Sequence, residues 1–212
     1  FLKYNFFFDL YSSWLLNKVN LHFCSSYDLL ELQTAIKQCR PDQTLVFVAS
    51  KSFKTDEIIE NMNYVNLWLE EALGVNHKDN LYGISSNPAA MQEFGIKEEN
   101  QFHILDSLGG RFSIWSPISL PSFINSGEEE YREFLKGAWE ADKNFLKSSW
   151  DKNIPVLMSL LSFWNTNGLS INNLGIFTYN YRLRSLTKYL AQLGMESNGK
   201  TFNFNNKKSM FY

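Results

Sequence analysis

A single carboxylate stands in a short polar run near the end of the chain. The run reads GMESNGK, residues 194–200, and follows a stretch with the apolar spacing of an amphipathic helix. Glu196 is followed by Ser197, Asn198 and Gly199, three residue types that favour turns. Two interpretations are open. The run is either an ordinary polar helix end, or a bend that lets the Glu196 carboxylate reach a ligand and exchange protons with it.

Hydroxyl groups and a lysine are concentrated in a second run, ASKSFKT, residues 49–55. This run lies between an apolar segment and a helical pattern, and its candidate ligands are Ser50, Lys51, Ser52 and Thr55. The first N–H groups of a helix have no acceptor within the helix, so a phosphate can bind there. The alternative is a plain helix cap, because Ser and Thr are favoured at helix starts in any protein.

A third run, DSLGGRFSIWS, covers residues 106–116. Two adjacent glycines permit backbone conformations closed to other residues, and Gly110 permits close approach of a ligand. Arg111 follows at once, and a guanidinium held there would suit an anionic intermediate. The alternative is a tight turn with a structural ion pair.

The first half of the chain alternates strand-like and helical patterns. This β-α-β-α order predicts an α/β fold with a parallel sheet and helices on both faces. In such a sheet, ligands bind at the carboxyl ends of the strands. The predicted strands are residues 19–25, 44–50, 80–85 and 101–105, and the predicted helices contain Leu29, Leu32 and Ile36, then Ile58, Met62, Val65, Leu69 and Ala72, then residues 87–94.

The second half, after residue 115, contains helical patterns only. Three amphipathic helices are predicted, and the last of them leads to Glu196. Pro155 falls in the first turn of the second helix, where proline is tolerated. The apolar positions are Tyr131, Phe134, Leu135, Ala138 and Phe145, then Leu157, Leu160, Leu161 and Trp164, then Leu183, Leu186, Leu190 and Leu193.

Composition argues against several functional classes. The 212 residues are 44% hydrophobic and carry a net charge of −2, so a globular core is expected and a nucleic-acid or membrane partner is not. The two cysteines, Cys24 and Cys39, form no disulfide framework, which favours a reducing compartment. The three histidines, His22, His77 and His103, match no metal-ligand spacing, so no metal is expected.

The three runs occur in an order that resembles the glucose-6-phosphate isomerase family. EFGIKEEN at 93–100 and KNIPVLMSLLSFW at 152–164 also resemble that family. The resemblance extends from about Val19 to Lys200, well under half of a full-length member.

The resemblance implies a sugar-isomerase (SIS) fold, which is a three-layer α-β-α sandwich with a flavodoxin-like parallel sheet. Residues 1–125 are expected to form this SIS-type sugar-phosphate-binding domain, incomplete at its N-terminus. Residues 126–212 are expected to form a helical connecting segment that carries the catalytic-base motif and leads toward a second domain.

Roles for individual residues also follow from the resemblance. Glu196 would be the general base that moves a proton between C2 and C1 of the open-chain sugar. Arg111 would stabilise the negative charge that develops on the enediol intermediate. The positions implied to bind the sugar phosphate are Ser50, Lys51, Ser52, Thr55, Gly110 and Gln192.

The implied reaction is the reversible conversion of glucose 6-phosphate to fructose 6-phosphate through a cis-enediol, in glycolysis and gluconeogenesis. One shielded carboxylate can remove the proton next to a carbonyl and return it to the neighbouring carbon. A nearby cation stabilises the developing oxyanion, and the remote phosphate orients the reacting carbons, so no cofactor is required. The resemblance also implies a cytoplasmic homodimer whose active site includes residues of the partner subunit.

The sequence departs from the family pattern at both ends. The family's glycine-rich phosphate loop is expected near residues 3–12, where KYNFFFDLYS stands. A histidine and a lysine of the family lie beyond the carboxylate motif, and the chain ends at Tyr212 before either. The apolar start is expected to be core helix or strand, not a signal peptide, and its initial Phe1 is compatible with a fragment. The alternative function is therefore a truncated or decayed, non-catalytic sugar-phosphate binder.

Overall fold

The computed structural model describes residues 19–171 and 173–199, apart from the side chains of Ser122 and Asn125. The apolar start, the segment expected to hold the glycine-rich loop and the tail from Lys200 onward lie outside the described residues.

The described residues contain a parallel sheet of three strands in the order β1-β2-β3. The strands are β1 (Val46–Ala49), β2 (Leu81–Ser85) and β3 (Gln101–His103). They confirm three of the four predicted strands, each somewhat shorter than expected. The register pairs Val46 with Leu81 and Ile84 with Phe102.

The fourth predicted strand, residues 19–25, is wrong. It is irregular and pairs with none of the three strands in the described sheet. The amides of Ser25 and Ser26 instead donate to the Glu31 carboxylate, each over 3.0 Å, while Cys24 packs against the core. A β-branched and aromatic run forms a strand only where a neighbouring strand offers hydrogen-bond partners.

Three helices accompany the sheet, and all three were predicted. They are α1 (Leu29–Ile36), α2 (Asp56–Leu73) and α3 (Pro88–Glu93). The Asp28 carboxylate caps α1 by accepting the Leu30 amide at 2.9 Å. Helices and strands enclose one hydrophobic core formed by Leu32, Val48, Phe53, Met62, Val65, Leu69, Leu81, Met91 and Ile96.

The rest of the described chain consists of helices and irregular segments, and the three helices predicted there are confirmed. It contains α4 (Leu120–Ser126), α5 (Glu128–Lys147), α6 (Ile154–Asn167) and α7 (Leu186–Asn198). Helix α7 begins after the predicted Leu183, which lies in a 3₁₀ turn. None of the helices in the described part of the chain is long and apolar enough to cross a membrane.

A second, smaller core attaches α7 to the segment that follows β3. Its buried members are Ile114 and Tyr189, and half-buried apolar side chains of α5 and α7 surround them. Because Tyr189 belongs to α7 and Ile114 follows Arg111, this core holds α7 beside the Gly-Gly-Arg run at the carboxyl edge of the sheet. The half-buried members are Tyr131, Phe134, Leu183, Leu186 and Leu193.

Helix α6 is the least covered element. It contains no charged residue, and none of its side chains is buried. The side chains of Leu161, Phe163 and Trp164 are 61%, 67% and 59% exposed. Helix α6 therefore presents an exposed apolar surface.

The thiol of Cys24 supplies a test of the packing of residues 19–25. Burial, together with the negative charge of Glu31, raises the pKa of this thiol to about 11. At about pH 8 we expect iodoacetamide to alkylate Cys24 about a hundredfold more slowly in the folded protein than in urea, because the thiolate is the nucleophile. Peptide mass spectrometry measures both rates, and equal rates would show that this packing is absent.

Candidate active site

The predicted phosphate-binding run and the Gly-Gly-Arg run meet at the carboxyl edge of the sheet. The first follows β1 and the second follows β3, and parallel strands place such loops side by side. The ammonium group of Lys51 joins them, since its Nζ donates to the carbonyl oxygens of Asp106 at 2.8 Å and Leu108 at 3.0 Å.

The loop after β1 is held in one shape by its own residues. Ser50 is buried, and its Oγ accepts the Phe53 amide at 3.1 Å. Phe53 has a positive φ of 56° and a buried ring, a conformation that persists only where surrounding contacts enforce it. Ser52 is exposed, and its Oγ accepts the Lys54 amide at 3.3 Å. Ser52 therefore presents its hydroxyl to solvent, while Ser50 shapes the loop from inside.

Thr55 occupies the cap position of α2, yet its side chain makes no capping hydrogen bond. The plain capping interpretation therefore does not account for this hydroxyl. The amides of Asp56 and Glu57 belong to the first helical turn, where N–H groups have no acceptor within the helix. An exposed hydroxyl and the positive end of a helix dipole thus lie together beside Ser52.

The two glycines of the third run do not need the conformations expected of them. Gly109 has a φ of −63°, and Gly110 is absent from the described residues with positive φ. The prediction of a glycine-only backbone is wrong here, because Gly109 starts an ordinary 3₁₀ turn, Gly110–Trp115. The expected room for a ligand is present: a Cβ added to Gly110 would meet nothing within 4 Å, whereas one at Gly109 would touch the Phe112 ring.

Among the described residues, Arg111 is the cation that lies within ion-pair distance of the candidate base. Its Nε donates to Ser197 Oγ at 3.0 Å, and its Nη1 lies 3.7 Å from Glu196 Oε2. The Tyr189 hydroxyl donates to the Arg111 carbonyl oxygen at 3.2 Å, which fixes the backbone beneath the guanidinium. Burial raises the pKa of Tyr189, so this hydroxyl remains a donor at neutral pH.

Glu196 lies in the last turn of α7, and not on a bend. Ser197 and Asn198 are still helical, and the helix ends at Gly199, whose amide donates to the Met195 carbonyl oxygen at 2.9 Å. The predicted turn therefore begins too early, because Ser and Asn are tolerated in a final helical turn when a glycine follows.

The Glu196 carboxylate is oriented by neutral and charged neighbours together. Gln192, one helical turn earlier, donates from Nε2 to Oε1 at 2.7 Å, and Arg111 approaches Oε2. The carboxylate is 45% exposed, so one side remains open to a ligand. A base next to a guanidinium can accept a proton from carbon while the cation stabilises the resulting oxyanion.

Several contacts in this region were missed by sequence reasoning. Ser85 at the end of β2 and the next two residues, Ser86 and Asn87, bond to the loop after β1. Ser197 and Tyr189 hold Arg111. The run Ser-Ser-Asn after a predicted strand was a usable signal, because β2 ends at the same sheet edge as β1.

Other candidate binding features lie away from this edge. Two open grooves of about 370 and 400 Å³ flank Trp139 on α5 and contain none of the predicted site residues. Among the described residues, no group of three or more His, Cys, Asp or Glu side chains is placed to hold a metal ion.

The chain is similar to known proteins over most of its length. Residues 12–211 match the family model of phosphoglucose isomerase. The chain belongs to the phosphoglucose isomerase family. Similar phosphoglucose isomerase relatives include the glucose-6-phosphate isomerase of Acinetobacter baylyi, 42% identical over 193 residues, and that of Hydrogenovibrio crunogenus, 41% identical over 186 residues.

The phosphoglucose isomerase relatives are much longer than this chain. The two alignments cover 90% and 86% of this chain but 35% and 34% of the relatives. A crystal structure of a glucose-6-phosphate isomerase from Chlamydia trachomatis superimposes with a TM-score of 0.87 at 27% identity, covering 100% of this chain and 41% of that one. The chain therefore has a phosphoglucose isomerase fold and spans about a third of the length of its sequence relatives.

Proposed function

We propose that this chain forms part of an active site that interconverts glucose 6-phosphate and fructose 6-phosphate. The observation that carries the proposal is the pair of Glu196 and Arg111, which come from segments far apart in the sequence and lie 3.7 Å apart at their nearest charged atoms. A base beside a fixed cation is the minimum that proton transfer next to a carbonyl requires.

The proposed reaction has two proton transfers at carbon and one between the two oxygens O2 and O1. Glu196 removes the proton from C2 of the open-chain aldose, and electrons move into the carbonyl so that a cis-enediol with a negatively charged O1 forms. Arg111 stabilises that charge. The protonated Glu196 then returns the proton to C1 while the O2 hydroxyl proton passes to O1, so that O2 becomes the carbonyl oxygen of the ketose. One carboxylate serves both steps because it is the acid after having been the base.

The phosphate of the substrate is proposed to bind the loop after β1. The exposed hydroxyls of Ser52 and Thr55 and the first amides of α2 form a donor set suited to an anion. Binding of this remote group would hold C1 and C2 in place relative to Glu196. Lys51 and Ser50 would maintain the loop, and Gln192 would orient the base.

A non-catalytic sugar-phosphate binder is the second candidate. It is favoured by the exposure of Glu196, because a base in contact with water lacks the shielding that a proton shuttle needs. In the first proposal, further polypeptide in a homodimer shields Glu196 from water. The homodimer is proposed to be cytoplasmic and to serve glycolysis and gluconeogenesis. The two free thiols, Cys24 and Cys39, fit a reducing compartment.

Hydrogen exchange at C2 distinguishes the two candidates. The chain is incubated with glucose 6-phosphate in heavy water, and loss of the C2 proton signal is followed by NMR, with unphosphorylated glucose as the matched control. Exchange of glucose 6-phosphate alone supports the isomerase proposal. Saturable binding without exchange supports the binder, and absence of both contradicts both proposals for this chain.

Gly110 offers a test of where the ligand lies. Gly110→Ala is expected to leave the melting temperature unchanged or slightly raised, because the added methyl meets open space and the unfolded chain loses entropy. It is expected to weaken glucose 6-phosphate binding about tenfold, because the methyl would occupy ligand space. The control is Gly137→Ala, whose methyl also meets nothing within 4 Å. Calorimetric titration measures both variants, and equal affinities would place the ligand elsewhere.

A further inference from the structure

The carbonyl oxygen of Lys51 accepts three hydrogen bonds from the last residue of β2 and the residue after it. Ser85 Oγ donates at 2.8 Å, Ser86 Oγ at 3.0 Å and the Ser86 amide at 3.1 Å. The hydrogen bond from the Ser86 amide continues the β1–β2 pairing beyond the strand ends. The two hydroxyls are additional, and a peptide carbonyl with two lone pairs needs no third donor to be satisfied.

These bonds determine where the next amide points. A peptide unit is planar and trans, so its carbonyl and its N–H point in opposite directions, and no described residue has a cis peptide. Holding the Lys51 carbonyl toward β2 therefore aims the Ser52 N–H away from β2. No acceptor among the described residues bonds to this N–H, and Ser52 itself is exposed.

The neighbouring peptide units are fixed as well. Asn87 Nδ2 donates to the Ser52 carbonyl oxygen at 3.1 Å, and the Phe53 amide bonds to Ser50 Oγ. Ser85 is fully buried, and its Oγ also accepts the Asn87 amide at 3.0 Å, so this hydroxyl is both donor and acceptor. The loop after β1 thus holds the Ser52 N–H as an outward-pointing backbone donor.

We propose that Ser85 and Ser86 are positioning residues that aim the Ser52 N–H at the phosphate of the substrate. This inference rests on the proposed function for the identity of the ligand. The two serines touch the loop and not the ligand, so their effect is exerted through Ser52. A fixed amide needs no reorganisation when the anion arrives, which strengthens its contribution to binding.

The test compares Ser86→Ala with Ser86→Thr, which retains the hydroxyl. Ser86 is chosen because it is half-buried, whereas the fully buried Ser85 carries a greater risk of misfolding. Ser126→Ala is the control for stability, since the buried Ser126 also donates from its hydroxyl to a backbone carbonyl, that of Phe123, away from the sheet edge. Dissociation constants for inorganic phosphate and for glucose 6-phosphate are measured by calorimetry, and the ¹⁵N-labelled Ser52 amide signal is followed during the phosphate titration.

We expect Ser86→Ala to weaken binding of both anions about two- to tenfold, the effect of one lost hydrogen bond. The phosphate-induced shift of the Ser52 amide signal should shrink in parallel, and Ser86→Thr should restore both. The melting temperature should move no more than in Ser126→Ala, so that loss of stability does not explain the change.

Two results would overturn the positioning role and leave the isomerase proposal intact. One is an unchanged phosphate affinity in Ser86→Ala while C2 exchange persists, and the other is a Ser52 amide signal that does not shift when phosphate is added. Weakened phosphate binding in a chain without C2 exchange would support the positioning role and contradict catalysis. A wild-type chain that binds neither anion would overturn both.

Discussion

Glu196→Gln is expected to lower C2 proton exchange of glucose 6-phosphate by about 10²- to 10⁴-fold, the usual contribution of a positioned general base. Glutamine has nearly the shape of glutamate but cannot accept the proton. The Gln192 and Arg111 side chains that now contact the carboxylate would still surround the amide. Substrate binding should change little, because the loop after β1, which is proposed to bind the phosphate, is a separate part of the site.

Glu71→Gln is the control for this substitution. Glu71 is exposed and, like Glu196, lies in the last turn of a helix, so the charge change and its effect on the helix dipole are matched. NMR exchange rates are compared under identical conditions, with far-UV circular dichroism to check folding. A Glu196→Gln protein that retains wild-type exchange would show that another group is the base.

Replacing apolar residues of α6 is expected to change the association state of the chain. Helix α6 is apolar on all sides, which is typical of a helix enclosed by protein, yet none of its side chains is buried here. Exposed apolar patches of this kind drive association and aggregation. We therefore expect the wild-type chain to associate, and a variant carrying Leu160→Gln, Phe163→Gln and Trp164→Gln to sediment mainly as a monomer.

The matched control places the same number of glutamines at exposed apolar positions outside α6. Leu45, Leu67 and Val75 are suitable, since they are 56%, 58% and 92% exposed. Sedimentation velocity over a range of concentrations measures the distribution of species. A monodisperse wild-type monomer with a cooperative melt would contradict the prediction, as would equal association in both variants.

The elements that the sequence predicted well are those with a repeated local signal. The spacing from Ile58 to Ala72 corresponds to α2, and the β-branched run around Val48 corresponds to β1. Residues 19–25 carry the same kind of signal as β1 but form no strand in the described structure, because pairing depends on a neighbour and not on composition. Local patterns therefore predicted most helices and three strands, and failed where a tertiary partner decides.

In the candidate site, too, local patterns were predictive, whereas contacts between distant segments were not. The three runs made Glu196, Arg111 and the loop after β1 candidates, because residue types and order sufficed for the family resemblance. The contact of Arg111 with Ser197 spans 86 residues, and no periodicity or local spacing reports such a contact. The Gly109–Gly110 expectation failed for a different reason: glycine permits unusual backbone angles but does not require them.

Lys51 has a consequence for how the two halves of the site depend on each other. Its ammonium group donates to the carbonyl oxygens of Asp106 and Leu108, which precede the 3₁₀ turn that contains Arg111. Its backbone belongs to the loop after β1, which is proposed to bind the phosphate. Ordering of either loop therefore favours ordering of the other, and by thermodynamic linkage this coupling is reciprocal. On the proposed function, part of the binding free energy of the phosphate holds Arg111 in position. A sugar that lacks phosphate would therefore be turned over more slowly as well as bound more weakly.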